Sequence, residues 1–149
     1  MAVIVIAFIA IILGGISCVR LEQKEQKTDA YHRMNLYAAE GNDHALRQML
    51  AQKLVDVNHI EKGKPGLLEN AVRGGHLSTV ELLLDAGVKP EIKGVYSIPI
   101  AMAIERADVP MVKVLLAHGA HPKNCYIVKA DDTQNKELIK ILLAAGAEP

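Results

Sequence analysis

AVRGGHLSTVELLLDAGVKP, residues Ala71–Pro90, decides the fold. Val80, Leu83 and Leu84 fall three and four apart, which predicts a short amphipathic helix with its apolar stripe on one side. Gly87 follows LLLDA directly, where a left-handed residue stops a helix and turns the chain. Upstream, Leu67–Arg73 predicts a second, shorter helix, separated from the first by Gly74-Gly75. The unit is therefore helix, tight turn, helix, stop.

Working outward from Gly75, the same frame recurs. It places a small or aliphatic residue three positions before the reference, an aliphatic residue five after, an apolar pair eight and nine after, and a helix-ending residue twelve after. On Gly75 it reads Val72, Val80, Leu83-Leu84 and Gly87. Set on Gly41 it gives Ala38, Leu46, Met49-Leu50 and Lys53; on Ala107, Ile104, Val112, Leu115-Leu116 and Gly119. On Gln134 it gives Asp131, Ile139, Leu142-Leu143 and Gly146. Shorter first helices are expected around Met34–Glu40, Leu67–Arg73, Pro99–Arg106 and Tyr126–Asp131, with small residues (Ala38, Ala39, Ala71, Ala101, Ala103, Ala130) that permit close helix contact. One such pair cannot bury its own apolar face, whereas stacked pairs can.

These segments carry a resemblance. GGHLSTVELLLDAGVKP and DVPMVKVLLAHGAHP resemble the ankyrin repeat, with its Gly-His turn, Val-x-x-Leu-Leu second helix and Gly-Ala ending, and Met34–Asn58 resembles a divergent first copy. The spacing between helix-ending positions is 34, 32 and 27 residues, against the roughly 33 of that family. The family's Thr-Pro-Leu-His opening survives only as Gly66-Leu67-Leu68-Glu69 and Ile98-Pro99-Ile100-Ala101. The fold class expected is all-α: an ankyrin-type helical solenoid of stacked helix pairs joined by short hairpin loops, with approximate units 31–62, 63–94, 95–123 and 124–149 in a domain of residues 31–149. The resemblance implies a protein partner held by the hairpin tips and by the exposed side of the first helices. Carried onto this chain, those positions are Glu40, Arg73, Glu105, Arg106, Asp132 and Thr133 on the helices, and Lys62, Lys64, Val95, Tyr96 and Ser97 in the hairpins. Arg73, Arg106 and Tyr96 lead, because Arg and Tyr are enriched at binding hot spots.

Met1–Val19 has no charged side chain, and as a helix it would be about 28 Å long, near the roughly 30 Å of a bilayer core. A single transmembrane helix at residues 1–19 is the first expectation, followed by a polar linker at 20–30 whose alternating charge reads as a solvated helix extension or stalk. Arg20, Lys24 and Lys27 lie after the span, which places the repeats in the cytoplasm. Two alternatives end with the repeats exported. Ile16-Ser17-Cys18 resembles a bacterial lipobox with Cys18 as the lipidated residue, and a plain signal peptide would be cleaved.

The remaining composition narrows the function classes. Among 149 residues, 17 Lys+Arg balance 17 Asp+Glu and five are aromatic; neither a basic nucleic-acid face nor a base-stacking platform follows. Cys18 and Cys125 cannot build a disulfide framework or a four-ligand zinc site. No phosphate loop, His-Glu-x-x-His or Gly-x-Ser-x-Gly is present, and His76, His118 and His121 read as turn and helix-end residues. The expectation is a membrane-anchored protein-binding module without catalysis, cofactor, metal or small-molecule substrate. Its alternative is an exported lipoprotein or periplasmic protein that inhibits or buffers a secreted partner.

Overall fold

A computed structural model describes residues 26–61, 63–91, 98–121, 130–131 and 135–147. Regular structure among them is helical throughout: α1 (residues 26–40), α2 (Asp43–Gln52), α3 (Leu67–Gly74), α4 (Leu77–Asp85), α5 (Pro99–Glu105), α6 (Val109–Ala117) and α7 (Lys136–Ala144), with residues 130–131 also helical. No strand occurs among the described residues, which are all-α. No helix among them is long and apolar enough to cross a membrane. The expected span at 1–19 lies outside the described residues.

The helices pack in two layers. α3 lies on α4 and α5 on α6, while α3 meets α5, α2 meets α4, α4 meets α6, and α6 meets α7. First helices thus form one layer and second helices the other, as the frame predicts. Met34, Leu46, Leu67, Leu83, Ile100, Ile104, Met111, Leu115, Leu138 and Leu142 fill the space between them and are fully buried. Each sits on the stripe that its helical period directs inward.

Two recurrent turns set the geometry. After each described first helix comes a left-handed residue: Gly41, Gly75 and Ala107 have φ of 71°, 75° and 52°. The next N–H returns to the helix, Asn42 to Tyr37 O, His76 to Ala71 O and Asp108 to Ala103 O, in the manner of a Schellman closure. That same next residue begins the second helix. Asn42 Oδ1 accepts from Ala45 N–H, Asp108 Oδ1 from Met111 N–H and Asn135 Oδ1 from Leu138 N–H, each at 3.1 Å, meeting amide groups that have no partner inside the helix. The second helices end at Gly87, Gly119 and Gly146. There Val88, Ala120 and Ala147 donate back to Leu83, Leu115 and Leu142 at 3.0 Å and bury their own side chains. Lys53 closes α2 at φ 50°, but Leu54 after it stays 51% exposed. This is where the first unit diverges.

One boundary shifts, two weakly opened helices form as expected, and one expected helix lies mostly outside the described residues. The boundary placed at residue 30/31 falls inside a helix, since residues 26–30 are helical and Ala30 is buried. The weak openings at Gly66 and Ile98 provide no side-chain cap, yet α3 and α5 form. Burial of Leu67, Leu68, Ala71 and Val72 holds the former, and Pro99 presets the first turn of the latter. Finally, the expected last first-helix, Tyr126–Asp131, is described only at residues 130–131.

Candidate partner-binding surface

The C-terminal ends of α1, α3 and α5 lie side by side, and the side chains expected to form a ladder occur there. Glu40, Arg73, Glu105 and Arg106 are all exposed. Two positive and two negative side chains alternate along this edge, so it offers no single-sign field. Cross-unit hydrogen bonds hold the edge in register. His76 Nε2 donates to Ala39 O at 3.0 Å, linking the second unit to the first. Arg106 Nη1 donates to Val72 O at 3.0 Å and Arg73 O at 2.8 Å, linking the third unit to the second. In both cases a side chain from one turn satisfies carbonyls at the end of the preceding unit's first helix.

The two arginines expected to bind a partner therefore also have internal work. Arg106 is a clasp between units, with its Nη2 near Gly75, and Arg73 Nη2 donates to Glu69 Oε1 at 2.8 Å. The Arg73 side chain remains 55% exposed while Glu69 is 3% exposed; the carboxylate is buried, and its partner carries the charge outward. Lys64 is exposed and pairs with Glu61 at 2.6 Å. Lys62, Val95, Tyr96, Ser97, Asp132, Thr133 and Cys18 lie outside the described residues.

The composition pattern does not signal a second cluster, where α1 meets the loop before α3. Tyr31 Oη donates to His59 O at 2.7 Å, and the two rings meet edge to face with centroids 5.0 Å apart. Asn70 Nδ2 reaches Asn35 Oδ1 at 2.8 Å, and Asn35 Nδ2 reaches Tyr31 O at 3.0 Å. Glu61, between Lys64 and His32, is held below the usual carboxylate range, chiefly by the Lys64 hydrogen bond. Burial pushes the Tyr31 hydroxyl above its ordinary 10.0, so it stays a neutral donor at physiological pH. Only contacts 28 to 35 residues apart reveal this cluster.

On the loop side another device repeats. Lys89 N–H donates to Asn58 Oδ1 at 2.8 Å, and one unit later His121 N–H donates to Glu91 Oε1 at 3.0 Å. Asn58 and Glu91 are 33 residues apart, so the signal was available as a polar residue in a fixed place. A frame of apolar and helix-ending positions does not contain it.

A cavity of about 20 Å³ lies at this side, bordered by Leu67, Leu68, Glu69, Val88 and Pro99. It has room for about one water, against the several hundred Å³ of pockets that enclose small molecules. Among the described residues no three His, Cys, Asp or Glu side chains converge as metal ligands. No protein-family model matches the chain, and no curated protein matches it. What supports a function is therefore the geometry of the chain itself.

Proposed function

We propose that the chain is an ankyrin-type helical solenoid, anchored in a membrane by residues 1–19, that binds a protein partner on the edge formed by its first helices and performs no catalysis. The observation that carries this reading is the alignment of α1, α3 and α5 with exposed Glu40, Arg73, Glu105 and Arg106 at matching places, locked by His76 and Arg106. Rigid presentation lowers the ordering cost of binding. Tethering to the bilayer would raise the local concentration of the module around a membrane partner. The mixed charges suit a partner surface that also carries both signs.

Affinity capture of the full-length protein from its own cells tests the reading. The expected result is a stoichiometric protein partner, lost when the exposed Glu40 and Glu105 are both exchanged for Lys while the melting temperature holds. Capture that is indifferent to the exchange contradicts it. Location is tested separately by C-terminal fusions. A fluorescent protein that matures in the cytoplasm should report, and a phosphatase active only after export should stay silent. Phosphatase activity would instead favour the exported form, and palmitate labelling lost in Cys18→Ala would identify the lipid-anchored one.

A further inference from the structure

The helix pairs of the stack share two ends. First helices start and second helices stop on the side of the loops, while first helices stop and second helices start on the side of the tight turns. Contacts fix α1 in this frame. Near its start, Tyr31 Oη donates to His59 O and His32 Nε2 lies 3.7 Å from Glu61 Oε1, both on the loop side. Near its end, Ala39 O accepts from His76 on the turn side. Ala30, Tyr31, Met34 and Ala38 are buried, so α1 is held to the stack along its length and does not swing on its own.

The chain therefore enters the stack from the loop side. Six residues, 20–25, separate the apolar stretch 1–19 from the first described residue of α1. Whatever their conformation, residue 26 stands no more than about 25 Å from residue 19. Glu40, at the far end of α1, lies about 20 Å further along the helix axis.

The loop side also presents lysines. Lys27, Lys53, Lys64 and Lys89 lie there and are exposed, and the opposite turns at 41–43, 74–76 and 106–108 contain none. The carboxylates on the loop side are engaged within the chain: Asp29 with Arg33, Glu61 with Lys64 and Asp85 with His118, Asp56 with Asn58 N–H and Glu91 with His121 N–H. Exposed ammonium groups are drawn to an anionic leaflet, but only within about a Debye length of its surface; the short reach from residue 19 brings this side that close. We propose that the loop side of the stack lies against the bilayer, with Lys27, Lys53 and Lys89 meeting anionic lipid headgroups. This rests on the reading of residues 1–19 as a membrane anchor and adds an orientation to it. The first-helix edge, with Glu40, Arg73, Glu105 and Arg106, then points away from the membrane, where a protein partner can approach.

The test uses the full chain, with Cys18 and Cys125 changed to Ser, reconstituted into vesicles of phosphatidylcholine and phosphatidylserine that carry a nitroxide quencher on the headgroup. A fluorophore is attached through Lys89→Cys or His121→Cys on the loop side, or through Glu40→Cys or Glu105→Cys on the turn side. The expected result is quenching several-fold stronger at 89 and 121 than at 40 and 105. In the His121→Cys protein, adding Lys53→Glu and Lys89→Glu should lower the quenching while circular dichroism holds; quenching that does not change would overturn the lysine contact with lipid. Equal quenching on both sides, or stronger quenching at 40 and 105, in protein that floats with the vesicles would overturn the orientation and leave the anchor standing. Protein that does not float with the vesicles would overturn the anchor and the orientation together.

Discussion

Ala107 occupies the backbone conformation that Gly41 and Gly75 occupy in the earlier units, with φ of 52° against 71° and 75°. A Cβ in the left-handed region costs about 1–2 kcal/mol, partly offset by the greater unfolded-state freedom of glycine. Ala107→Gly should therefore stabilise the protein by about 0.5–1 kcal/mol, read as a higher urea midpoint with an unchanged slope. An unchanged or lowered midpoint would show that the turn gains from the methyl group something the backbone angle hides. Gly74 presents the opposite case. A Cβ there would lie 2.8 Å from Ala39 O and closer still to the His76 ring, in the seam where the first two units touch. Gly74→Ala should cost about 1–3 kcal/mol through overpacking, and free tolerance of alanine in the same titration would mean that the seam is wider than the structure shows.

Among elements, α6 and α4 differ in how they begin. Asp108 accepts from Met111 N–H, whereas His76 has no side-chain cap bond because its ring serves Ala39 O. Asp108→Ala should cost about 1 kcal/mol of stability and raise amide exchange in the first turn of α6. α1 depends instead on the loop it holds. Glu61 has its pKa lowered, so its contribution is present at neutral pH and is lost as pH falls from 4.5 through its folded-state value. Glu61→Gln should melt lower than the parent near neutrality, and the gap should close in acid; a pH-independent gap would show that the carboxylate charge is not what matters. The helix frame was legible in sequence because apolar periodicity and glycine stops are local signals, and α3, α4 and α6 fall where Leu67, Val80 and Val112 place them. The caps were equally local but hidden, since Asn42, Asp108 and Asn135 share a frame position that His76 fills in the second unit without a side-chain cap. The start of α1 was legible only as one of two readings, a solvated helix extension or a stalk. Residues 26–30 read as a polar linker, and what holds α1 in place is Ala30, Tyr31 and Met34 packing against a distant loop.

For the whole molecule, stability belongs to junctions as much as to units. Leu115 lies in a unit with a neighbour on either side, and Leu142 lies in the last described pair, although both are fully buried. Truncation of either to Ala should fall within about 2–5 kcal/mol. Leu115→Ala should be the costlier, because loss of an inner pair uncouples both flanks, and equal cost by denaturant titration would argue against a cooperative stack. The candidate surface was only partly legible. Glu40, Arg73, Glu105 and Arg106 do share an exposed edge, but sequence could not show that Arg106 clasps Val72 O and Arg73 O or that Arg73 carries a buried Glu69, because these bonds join residues by the packing of units. The most direct test of the binding account is site-specific photo-crosslinking in living cells. A photoreactive residue replaces Glu40 or Glu105 on the first-helix edge, or Lys113 or Gln48 on the second-helix layer. The account predicts one discrete protein adduct from the first pair and none from the second; adducts from Lys113 and Gln48 alone would contradict it.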